Sequence, residues 1–90
     1  MNEAEGKVSD LTNKEDFPWR LRCMMALADI QSGELARESG VPKVIIYKIR
    51  ADQHKGKEET REKLILAIER WSPGTIAMMR AAENSTKIHN

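Results

Sequence analysis

Five cations, Lys43, Lys48, Arg50, Lys55 and Lys57, fall within one stretch that holds a single acid, Asp52. Ammonium and guanidinium groups at this density can neutralise phosphate and donate to base edges; they can equally serve as an ordinary solvated charge run. Val44 and Tyr47 are interleaved with them and add apolar and aromatic contact area. The distribution tells more than the total. The whole chain has a formal net charge of only +1, but residues 1–16 carry five acids against two lysines. A basic centre beside an acidic leading segment fits phosphate contact at one face.

Other chemistries find little support. The single cysteine, Cys23, has no internal partner for a disulfide and lies in an apolar stretch, so a place in the core is expected. His54 sits among cations on a polar stretch, where a solvent-exposed or phosphate-adjacent place is expected, and His89 has no evident partner. Glu58, Glu59 and Glu62 are mixed with basic residues and lack His or Cys at metal-ligand spacing, so they read as a hydrated helix face. No glycine-rich phosphate loop appears, and no Ser, Thr or Cys has a recognisable base near it in sequence. The expectation is no catalytic residue, no metal, no cofactor and no small-molecule ligand. The longest apolar run, Cys23 to Ala28, is too short for a membrane span, and no leader pattern is seen; a reducing cytoplasm is the expected compartment.

The elements that must position the basic stretch are helical. Ninety residues suit one domain. Residues 1–16 and 84–90 read as flexible polar tails around a folded unit at 17–83. A first helix is expected over about Phe17 to Asp29, capped by Asp16, with Pro18 in its first turn. Phe17, Leu21, Met24, Met25 and Ala28 form its inward stripe, and Arg20 and Arg22 should be exposed. A second helix, about Gly33 to Ser39, has Ser32 as N-cap and points Leu35 and Ala36 inward.

Gly40 follows Ala36 by four residues and suits a left-handed turn; the small Ala36 lets the next helix approach closely. That third helix, about Pro42 to Ala51, buries Ile46 and Ile49, with Val41 just before it, and turns Lys43, Val44, Tyr47 and Lys48 outward. No side-chain oxygen is placed to cap it, which leaves its first N–H groups available to a phosphate. After a polar loop at Asp52 to Lys57, a fourth helix covers about Lys57 to Trp71, with Leu64, Ile65, Ala67, Ile68 and Trp71 inward and Arg61 among the wet residues. Ser72 and Pro73 restart the chain into a fifth helix, about Pro73 to Glu83, bearing Ile76, Met78, Met79 and Ala82. The fold class is therefore all-α, a compact five-helix domain in which helices two and three form a helix-turn-helix.

Between Ser32 and Arg50, the small Ala36, the turn Gly40, Val41 and the inward Ile46 and Ile49 together resemble the lambda-repressor-like DNA-binding domains, of Cro and repressor type. The resemblance covers about Trp19 to Ala82. It implies five helices, a homodimer on double-stranded operator DNA, and repression or activation of transcription, as in phages or mobile elements. It places Lys43, Val44, Tyr47 and Lys48 where base edges are commonly touched, and Gln31 and Ser32 where the second helix meets a phosphate. Arg50, Lys55 and Lys57 are placed for contact with the DNA backbone. Ile76, Met78 and Met79 are candidates for a dimer seam. The sequence departs from the family pattern at Ser32 and Pro42, and Val44-Ile45-Ile46 is very apolar for a helix that reads DNA. A second expectation is therefore a protein-interaction module, antitoxin- or adaptor-like, that uses the apolar side of the third helix.

Overall fold

The computed structural model describes residues 11–88, with side chains described through residue 84. Five α-helices form it: α1 (Phe17–Ala28), α2 (Ser32–Ser39), α3 (Lys43–Arg50), α4 (Glu58–Trp71) and α5 (Thr75–Ile88). No strand occurs among the described residues, and none of their helices is long and apolar enough to cross a membrane.

One apolar cluster holds the helices together. Phe17, Leu21, Met24, Met25 and Ala28 of α1 are buried at the helical spacing that the sequence shows. They meet Leu35 of α2, Ile46 and Ile49 of α3, Leu64, Ile65, Ala67 and Ile68 of α4 and Met79 of α5. Each fully buried Phe, Leu, Ile or Met side chain contributes about 1.5–3 kcal/mol of transfer free energy. Leu11 and Thr12 are also buried, so packing begins inside the segment expected to be a mobile tail, whereas residues 1–10 lie outside the described range.

Arg61 explains how that leading segment is held. It lies on α4 among charged residues and was expected to face water, yet it is buried. Its Nε–H donates to Thr12 O at 2.6 Å, and Nη1 donates to the Gly56 carbonyl. One guanidinium thus binds the chain before α1 to the loop before α4. A buried cation is tolerated only when such acceptors surround it.

Helix ends depart from expectation in instructive ways. Asp16 precedes α1 without a side-chain cap; its carboxylate instead lies 3.7 Å from Arg20. Arg20, expected to be exposed, has a mostly covered side chain whose Nε meets Glu83 Oε2 at 2.7 Å, joining α1 to α5. Gln31 rather than Ser32 is the N-cap of α2, and Ser32 is its first residue. Helix α5 starts at Thr75, not Pro73, because Gly74 takes φ +101 and cannot begin a helix. Its opening N–H groups are satisfied from the preceding helix: Glu69 accepts from Gly74 N at 2.7 Å and from Ile76 N at 3.0 Å. At its other end α5 continues to Ile88, into the segment expected to be a flexible tail.

Two inward assignments are corrected. Cys23 is exposed, since it lies off the buried stripe of α1 despite its apolar neighbours. Trp71, the last residue of α4, is 39% exposed, because at the helix end the described residues cover its ring only in part.

Candidate nucleic-acid interface

The turn between α2 and α3 sets the site. Gly40 adopts φ +77, and its N–H donates to Ala36 O at 2.9 Å, closing α2. Ser39 reinforces the turn: its hydroxyl donates to Leu35 O and accepts from Val41 N. Pro42 then stands as N-cap of α3, in extended conformation, one position earlier than the helical place expected for it.

Helix α3 has two unlike faces. Ile46 and Ile49 are fully buried, and Val41 anchors the entry. Lys43, Val44, Tyr47 and Lys48 are all exposed, as expected from their spacing. The apolar triplet divides by helical rotation: Ile46 goes inward, Ile45 is half-buried, and Val44 stands 55% exposed. Among the described residues no side chain caps the start of α3, and Pro42 O is taken by the N–H groups of Ile45 and Ile46.

Beside this helix lies an open cleft of about 680 Å³. It brings together Gln31 and Ser32 at the start of α2 with Lys43, Tyr47 and Arg50 of α3. Val44, Lys48, Lys55 and Lys57 do not line it; the first two face outward on α3, and the other two are exposed in the loop before α4. Arg22 and Arg37 also line the cleft, and the sequence reading missed both. The available signal was modest: Arg22 lies midway along α1, one helical turn before Met25 and Ala26.

The cleft's geometry reassigns Ser32. Expected to be a cap and to meet a phosphate, it is buried, and its Oγ accepts from Arg50 Nη1 at 2.8 Å. Its hydroxyl therefore orients Arg50. Arg22 Nη1 donates to Arg50 O at 2.7 Å and lies 3.6 Å from Asp52, so it caps the end of α3. Glu34 Oε1 accepts the Gln31 N–H at 3.0 Å. His54 is exposed, and its Nδ1 accepts the Gly56 N–H at 2.8 Å.

The candidate seam on α5 is split. Met79 is 2% exposed and belongs to the core of a single chain, because it faces α1 across the α1–α5 packing. Ile76 is half-buried against that core, and Met78 is exposed. Comparison of the chain with protein-family models, curated proteins and solved structures gave no match.

Proposed function

We propose that this protein is a sequence-specific DNA-binding regulator of transcription, a repressor or activator of phage or mobile-element type, acting in the cytoplasm as a homodimer. Helix α3 enters the major groove. The observation that carries this function is the division of α3: Ile46 and Ile49 fix one face to the core, while Lys43, Val44, Tyr47 and Lys48 are exposed on the other. A helix held so from behind can enter a groove without unfolding its support. The adjoining cationic cleft supplies backbone contact, and the exposed Val44 suits a thymine methyl. Met78 leaves an apolar edge on α5 for a second copy.

Selection from random duplexes, with affinity measured at several salt concentrations, tests this. The expected result is an enriched, two-fold-related motif with half-sites about 34 Å apart. Affinity should fall steeply with salt as counterions are released. No enriched motif and no salt dependence would reject it.

The exposed Val44 and Tyr47, at 55% and 50%, favour a second function, docking of a protein partner on α3. Tight, salt-insensitive capture of a protein, lost on Val44→Asp, together with weak DNA binding, would select it.

A further inference from the structure

The cations of the cleft come from three elements: Arg22 from α1, Arg37 from α2, and Lys43 and Arg50 from α3. Two acids, Asp29 and Glu34, also line it, and Glu34 is already engaged by the Gln31 N–H. Four cations against two lining acids leave positive charge in excess, with Arg22 also paired to Asp52 at 3.6 Å. The course of Lys43 is unexpected for a residue of the outer face. Its Nζ lies 5.5 Å from the centre of the Tyr47 ring and 3.8 Å from the place a Cβ would take at Gly33. The ammonium therefore bends back across the start of α2, and the ring face holds it there electrostatically.

We infer that the cleft seats a stretch of nucleic-acid backbone, and that Lys43 is a phosphate ligand in it rather than a reader of bases. This rests on the DNA-binding function proposed above and divides the labour within α3. Lys43, Arg37 and Arg50 take phosphate oxygens, as a point charge and two planar forks. Arg22, which holds Arg50 O and Asp52, positions the end of α3. Base discrimination then falls to Val44 and Lys48, which stand outside the cleft.

The experiment compares the wild-type chain with Lys43→Gln and Arg37→Gln on the selected duplex and on a scrambled one, over a range of salt. Both positions are exposed, so melting temperatures should stay near wild type. Each variant is expected to weaken binding to both duplexes by the same factor. Each should lower the slope of log affinity against log salt by about one. The motif selected by Lys43→Gln should equal that of the wild type. A changed base preference in Lys43→Gln would overturn its assignment as a phosphate ligand, and unchanged salt slopes in both variants would overturn the cleft. If the wild-type chain binds no duplex at low salt, the DNA-binding function itself falls. Inorganic pyrophosphate, followed through the amide resonances of Ser32 and Gly33, then decides the cleft alone. Shifts abolished by both variants would retain it as a site for free phosphate, and no shifts would overturn it.

Discussion

Arg50 donates from Nη1 to the hydroxyl of Ser32 at 2.8 Å, tying the last residue of α3 to the first residue of α2. The bond fixes the end of the outward helix on the same element that begins the cleft. Replacing Ser32 with Ala removes the acceptor from a buried site and should destabilise the fold by about 1 kcal/mol. Duplex affinity should fall as well, since Arg50 loses its orientation. Urea denaturation and binding titrations check both, and an unchanged unfolding midpoint would deny the bond any stabilising role.

Arg61 is buried and joins two segments of the fold through its guanidinium. Arg61→Met should cost about 2–3 kcal/mol, because the carbonyls of Thr12 and Gly56 lose a charged donor. Amide exchange should quicken in the 51–57 loop before it quickens in α3. Protection that stays uniform across both would show that the guanidinium does not hold the loop.

Two glycines with the same φ of +77 offer a paired test of backbone strain against packing. A Cβ at Gly40 meets nothing within 4 Å, so Gly40→Ala should cost only the left-handed penalty, about 1–2 kcal/mol. A Cβ at Gly56 would stand 3.2 Å from Ile49 Cδ1, so Gly56→Ala should cost more. Thermal unfolding gives the order, and the reverse order would contradict the packing at Ile49.

Lys48 and Lys55 separate base reading from backbone contact. Lys48→Ala should lose roughly 1–3 kcal/mol of binding on the selected duplex and relax preference at one position. Lys55→Ala should weaken all duplexes alike and reduce the salt slope by about one. Equal losses from both substitutions on every sequence would leave α3 without a base-reading lysine.

Much of the framework was legible because it is local. Periodicity in α1 and α4 marked the buried stripe, and every inward residue read for α3 is buried. Gly40 announced its turn because only a residue without Cβ takes φ +77 easily. The outward set on α3 followed from the same rotation. Assignments failed where a side chain answers to a partner distant in the chain. Nothing near Arg61 announces Thr12, 49 residues before it. Arg20 gave no sign of Glu83, and Ser32 looked like a cap because its acceptor role toward Arg50 is invisible locally.

The sequence by itself determined five helices, the turn at Gly40 and the unlike faces of α3, since backbone sterics and helical rotation act over a few residues. Tertiary structure alone decided that Arg61 is buried, that Cys23 and Trp71 are not covered, and that Arg22, Arg37, Lys43 and Arg50 line one cleft. The reason is physical. A helix's own periodicity orders its residues around an axis, but only the neighbouring helices determine how much of that surface is taken from water and which charges come to face one another.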